Sequence, residues 1–135
     1  MNSSNTDLKK LAQNAMQFSH SPYSNKKIGA SLMLSNGQVY SGCNIENASY
    51  GGTVCAERVA IWKAFSENKA DIKIQKMFVA SAEDSPWPPC GFCRQVIAEF
   101  ATPETEIVLV NLDNAEKRYL FKDLFPESFG PAHMK

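Results

Sequence analysis

Two short segments, Cys55-Ala56-Glu57 and Pro89-Cys90-Gly91-Phe92-Cys93, hold the residue types that metal-assisted hydrolysis needs. Zinc held for structure alone takes four protein ligands. A catalytic zinc takes three and keeps a place for water, whose pKa it lowers toward neutrality. Cys55, Cys90 and Cys93 offer three thiolates, so one zinc ion (Zn2+) per chain with an open position is expected. Glu57, two residues from Cys55, then has a task suited to a carboxylate. It takes the proton from the water and delivers it to a substrate as general base and acid.

The same thiols have other uses. Cys90 and Cys93 alone could form a redox pair, or half of a structural zinc knuckle completed by Cys43. Cys43 ends an expected strand and precedes a polar loop, where a small half-buried thiol is ordinary. A redox pair leaves Cys55 and Glu57 without a role, whereas a catalytic zinc uses all four residues. Three thiolates around a divalent cation carry net negative charge, and counter-charge lies close in sequence. Arg58 follows Cys55 by one helical turn and Arg94 follows Cys93, so each is a candidate hydrogen-bond donor to a ligand sulfur. For both, the alternative is a surface ion pair.

The 135 residues, 1–135, read as one domain, long enough to bury roughly two-thirds of the unfolded chain's surface. Hydrophobic residues at 44% and charged residues at 21% suit a globular protein. Met1 to Asp7 is polar, which argues against a signal region, and no later run is long enough to span a bilayer. A cytoplasmic location without membrane association follows as an expectation, and that reducing compartment favours metal binding over disulfides. Fourteen basic and fourteen acidic residues cancel. Nothing in that balance draws the chain to nucleic acid, and the doublets Lys9-Lys10 and Lys26-Lys27 are too short to form a binding track.

Positioning falls to an alternation of helices and strands. Leu8, Leu11, Ala12, Ala15 and Met16 recur at helical spacing over Asp7 to Phe18, with Thr6 or Asp7 available as cap. Ile28 to Leu34, Asn36-Gly37 and Val39 to Cys43 read as a hairpin, followed by a polar loop over Asn44 to Thr53. Val54 to Glu67 carries apolar residues on most faces, which predicts a helix buried on more than one side with Trp62 in the core. Ile72 to Ala80 reads as a core strand. The stiff run Ser85-Pro86-Trp87-Pro88-Pro89, with Trp87 as a loop anchor, delivers Cys90 to the start of a helix ending near Phe100. Glu106 to Asn111 and Arg118 to Phe121 complete five strands, separated by a turn at Asp113-Asn114. The order predicts a layered α/β domain, a three-layer α/β/α sandwich with a mixed five-stranded sheet. Both cysteine groups then stand at helix N-termini, where the macrodipole favours thiolates.

Further segments sharpen the picture. Together with the zinc motif Cys55-Ala56-Glu57-Arg58 and Pro89-Cys90-Gly91-Phe92-Cys93-Arg94-Gln95, they are Pro22-Tyr23-Ser24, Gly29-Ala30, Gly42-Cys43-Asn44-Ile45-Glu46-Asn47-Ala48-Ser49-Tyr50 and Ser128-Phe129-Gly130-Pro131. In these segments the chain resembles the cytidine deaminases of the short, homotetrameric kind. The zinc motif alone points only to the wider deaminase superfamily; the Asn-x-Glu-Asn segment and the tail carry the finer resemblance. It implies hydrolysis of cytidine and 2′-deoxycytidine at carbon 4 of the base, with release of ammonia, in pyrimidine salvage. Glu57 would shuttle protons. By the same resemblance Asn44 and Glu46 hold the ribose hydroxyls and the backbone of Ala56 contacts the base. Tyr50 and Phe129 belong to what neighbouring subunits of a homotetramer contribute to shared active sites. His20 and His133 read as surface or boundary residues.

One position departs from the family pattern. Lys26 stands where these deaminases usually carry a phenylalanine that walls the pyrimidine pocket. The departure lends weight to a related zinc deaminase of relaxed specificity, acting on amino-substituted cytidines or another small aminated heterocycle. A polynucleotide deaminase would need a cationic channel, and a non-enzymatic zinc module would leave Glu57 unexplained.

Overall fold

A computed structural model of the chain describes residues 4–69 and 71–135; Met1 to Ser3, part of the polar opening, lie outside the described residues. Helix α1 spans Asn5–Ala15, two residues earlier than the periodicity alone indicates. The reason is local. The Ser4 hydroxyl accepts from the Asp7 N–H at 3.2 Å while the Asp7 carboxylate accepts from the Ser4 N–H at 3.3 Å, so Ser4 is the cap and Asp7 its partner in a capping box. After Ala15 the chain tightens into a 3₁₀ turn over Met16–Phe18.

Strands β1 (Ile28–Leu34) and β2 (Val39–Cys43) form the expected hairpin, with Gly37 at φ 87° in the turn. Helix α2 (Ala56–Ser66), strand β3 (Ile74–Ser81), helix α3 (Gly91–Phe100), strand β4 (Ala101–Val110) and strand β5 (Glu116–Leu120) follow in the predicted order. A short helix α4 (Phe121–Leu124) occupies part of what reads in sequence as the last strand, and a final 3₁₀ turn covers Pro131–Met134. The sheet order is β2-β1-β3-β4-β5, with β3 and β4 parallel and the other pairs antiparallel. Strand β4 starts earlier than its apolar run because Ala101 already pairs with Ile74. The register then shifts, and the Thr105 hydroxyl donates to the Ile74 carbonyl at 2.6 Å across the irregularity.

Strand alternation gives the sheet two apolar faces. Leu8, Ala12 and Met16 of α1 and its following turn pack on Met33, Phe78, Ala80, Val108 and Val110. Ala56, Ala60, Ile61, Ala64, Ile97, Phe121 and Leu124 pack on Ala30, Leu32, Met77, Val79, Ile107 and Leu109 from the other side. This is the three-layer α/β/α sandwich with a mixed five-stranded sheet. Trp62 departs from expectation: it is 51% exposed and lies outside the core. Gly42 of β2 lets α2 come close, since a Cβ there would stand 2.7 Å from the Ala60 nitrogen and 2.9 Å from the Ala56 oxygen. No helix among the described residues is long and apolar enough to cross a membrane.

Candidate active site

Both zinc-motif segments start helices at one end of the sheet, beside the row in which Ile28 faces Ser81 and Gly29 faces Cys43. Cys55 is the N-cap of α2 and Cys90 the N-cap of α3, each in extended backbone. Cys90 caps with its own side chain, its sulfur accepting from the Cys93 N–H at 3.4 Å. The thiols of Cys55, Cys90 and Cys93 lie within 4.8 Å of one another, and the Cys55 and Cys90 sulfurs are 3.9 Å apart. Cys43 is not in the cluster. Its thiol is pushed up by burial, as suits a protonated side chain under a helix.

The donor set fits a divalent cation. A hydrogen bond with Cys93 holds the Cys55 thiol well below the ordinary thiol value, helped by Arg58, and the same bond together with burial pushes Cys93 up. Three converging thiols can give up their protons to a divalent cation, which neutralises the charge left on the sulfurs. Of the two arginines beside the cysteines, Arg58 is the one that reaches a sulfur. Its Nη2 donates to the Cys55 sulfur at 3.5 Å, and its guanidinium lies 4.1 Å from the Phe92 ring centroid and 5.8 Å from that of Trp62. Arg94 does not reach a sulfur. It donates to the Pro89 carbonyl at 2.9 Å and the Leu124 carbonyl at 2.6 Å, which ties the segment entering Cys90 to α4.

Glu57, in the first turn of α2, is 3% exposed and lines a cavity of about 370 Å³ together with Cys55, Ala56 and Cys90. Burial pushes its carboxyl up to about 7. The same cavity is lined by Asn44 and Glu46 from the loop after β2. Asn44 Oδ1 accepts from the Ser19 hydroxyl and the Ile28 N–H, and Nδ2 donates to the Lys26 carbonyl, so one amide hydrogen stays free. Glu46 accepts from the N–H groups of Tyr23 and Ser24 at 2.9 and 3.1 Å and from the Ser24 hydroxyl, bonds that hold its carboxyl below the usual range.

Of the remaining residues named from the sequence, Tyr50 and Phe129 do not line this cavity. Tyr50 is 74% exposed and meets Tyr23 edge to face at 5.7 Å, while Phe129 stacks on His133 at 5.1 Å. His20 has a backbone role that the sequence left unassigned: its N–H donates to the Asn44 carbonyl and its carbonyl accepts from the Glu46 N–H. Trp87, expected as a loop anchor, also lines the cavity. Lys26 also lines the cavity, its ammonium paired with Glu83 at 2.9 Å and 5.5 Å from the Trp87 ring centroid. No charge pattern in the sequence indicates that pair, whose partners are brought together by β1 pairing with β3.

Comparison with known proteins agrees with this geometry. Residues 2–109 match the family model for the cytidine and deoxycytidylate deaminase zinc-binding region. Over 120 residues the chain is 42% identical to a cytidine deaminase of Halalkalibacterium halodurans, covering 89% of each chain. It is 38% identical over 126 residues to that of Sporosarcina psychrophila, covering 91% of each. The crystal structure of cytidine deaminase from Burkholderia pseudomallei superposes with a TM-score of 0.89 at 37% identity, covering 94% of this chain and 100% of the other.

Proposed function

The chain belongs to the cytidine and deoxycytidylate deaminase family, and we propose that it hydrolyses cytidine and 2′-deoxycytidine to uridine and 2′-deoxyuridine, releasing ammonia. It is a zinc-dependent hydrolytic deaminase with one zinc per chain. The observation that carries the substrate assignment is the cavity itself. It is lined both by a buried carboxyl that accompanies the cysteine cluster and by a loop amide and carboxylate suited to a sugar. Its volume of about 370 Å³ falls in the range of small-molecule sites.

Cys55, Cys90 and Cys93 are the proposed zinc ligands. When bound, zinc supplies the Lewis acidity that makes water nucleophilic near neutral pH. Water adds at carbon 4 of the base, the bond to the exocyclic nitrogen breaks, and the amine must gain a proton to leave as ammonia. Glu57 is the group placed to move that proton, taking it from water and giving it to the departing amine. The backbone of Ala56, first residue of α2, meets the base edge. The free N–H of Asn44 donates to one ribose hydroxyl, and a remaining lone pair of Glu46 accepts from another. Arg58 acts on the sulfur of Cys55 and not on the substrate.

The variants that test this separate ligand from proton carrier. Cys90→Ala should lose most bound zinc, whereas Glu57→Gln should keep zinc and lose turnover, followed by ultraviolet absorbance of cytidine and by ammonia release. Full activity in Glu57→Gln, or full zinc in Cys90→Ala with loss only in Cys43→Ala, would overturn the assignment.

A homotetramer with shared sites is proposed from Tyr50 and Phe129, both exposed and outside their own chain's cavity. Mixing Phe129→Ala chains with Glu57→Gln chains should restore activity if the site is shared, and light scattering gives the mass. A fully active monomer contradicts it. A cytoplasmic role in pyrimidine salvage is part of the same proposal and accords with thiols that must stay reduced.

A further inference from the structure

The cavity wall next to the ligand cysteines is built around one residue. Among the described residues that line the cavity, Trp87 is the only aromatic; its apolar companions, such as Ile28 and Val79, are aliphatic. Trp87 sits three positions before Cys90, within a segment stiffened by proline on either side. Each proline fixes its own φ, and the one after Trp87 restricts its backbone to extended conformations. The approach to this segment is pinned as well. Asn111 Nδ2 donates to the carbonyls of Glu83 and Asp84 at 3.2 and 3.0 Å, and Lys117 donates to the Ser85 hydroxyl at 2.8 Å. The chain that carries the indole is thus held where it leaves the sheet and leads into Cys90, the N-cap of α3. The ammonium of Lys26, held by Glu83 at 2.9 Å, lies 5.5 Å from the ring centroid. Yet Trp87 remains 41% exposed, so fold stability does not account for a large aromatic here.

We infer that Trp87 is the specificity-determining face of the cavity, the surface on which the pyrimidine ring packs. The inference rests on the nucleoside reading of the site. A pyrimidine is flat, with polar groups on its edge. The edge is met by the backbone of Ala56 and by Glu57, and within one chain Trp87 alone among the described lining residues offers a flat apolar surface. Ring packing is made alike in the bound substrate and in the transition state, so its loss raises KM and leaves kcat nearly unchanged. An aromatic contact of this kind corresponds to roughly three- to tenfold in binding.

Two tryptophans occur in the chain, so Trp62→Phe leaves Trp87 as the single reporter. Titrating that variant with uridine, the product, should change the Trp87 emission with the same dissociation constant that calorimetry gives. Trp87→Leu should raise the KM for cytidine roughly three- to tenfold with kcat within about twofold, and Trp87→Phe should recover most of the loss. If the Trp62→Phe chain binds uridine and deaminates cytidine while its emission stays constant, or if Trp87→Leu leaves KM unchanged, Trp87 has no part in recognition and the nucleoside reading stands. If the wild-type chain neither binds uridine nor deaminates cytidine, the nucleoside reading itself fails.

Discussion

Replacing Arg58 by alanine removes a guanidinium that stands 3.5 Å from the Cys55 sulfur and 4.1 Å from the Phe92 ring centroid. Opposite unit charges at such a separation attract by about 4 to 5 kcal/mol at an effective dielectric near 20. Part of that attraction offsets the cost of keeping the guanidinium at 9% exposure with its Nε unpartnered. A hydrogen bond to a charged group retains about 1.5 to 3 kcal/mol net. Acting on a metal ligand, that corresponds to roughly a ten- to hundredfold loss of zinc affinity, the usual range for groups that orient ligands. Arg58→Lys keeps the charge without the planar contact to Phe92 and should fall between wild type and Arg58→Ala. Competition against a chromogenic chelator at constant pH reads affinity without reference to turnover. Equal zinc affinity in all three proteins would contradict the proposed charge compensation and leave Arg58 as a packing group between two aromatic rings.

Two further outcomes follow from the same geometry. Gly42→Ala places a methyl group 2.7 Å from the Ala60 nitrogen, where ordinary contact begins at 3.4 Å, so α2 must move outward. Urea titration should show about 1 to 3 kcal/mol of lost stability, with a drop in kcat because Cys55 and Glu57 ride on that helix; unchanged stability and turnover would mean that the approach of α2 to β2 is not tight. Lys26→Phe adds a second aromatic to the cavity wall and should lower the KM for cytidine while suppressing turnover of cytidines bearing bulk on the amino group. Parallel kinetics on the two substrates decide it, and no change in either would make Lys26 a surface residue whose ion pair is incidental.

Much of this molecule was legible before its coordinates. The hairpin is written in the alternation of Ile28 to Leu34 and Val39 to Cys43 around Asn36-Gly37, because strand periodicity and turn chemistry are local properties. The cysteine spacing and Glu57 indicated zinc chemistry for a similar reason: ligand type and number constrain a metal before geometry is known. Helix ends were less legible. Ser4 outcompeted Thr6 and Asp7 as cap through a reciprocal bond that periodicity does not register, and α4 is too short for any period to declare itself.

Tertiary structure alone decided the rest, because it depends on pairings between distant segments. Arg58 and Arg94 looked equivalent beside their cysteines, but only α2 aims its arginine at a sulfur, while α3 turns Arg94 to the Pro89 and Leu124 carbonyls. Trp62 lies outside the core because of the rotation of α2, and the proline-bounded loop turns Trp87 to the cavity. Lys26 met Glu83 only because β1 lies beside β3. The sequence by itself determined the metal chemistry and the alternation of elements, which rest on residue type and near-neighbour spacing. Which side chains wall the cavity, and which arginine reaches a cysteine sulfur, were decided by strand order and helix rotation, which bring together residues that no local pattern connects.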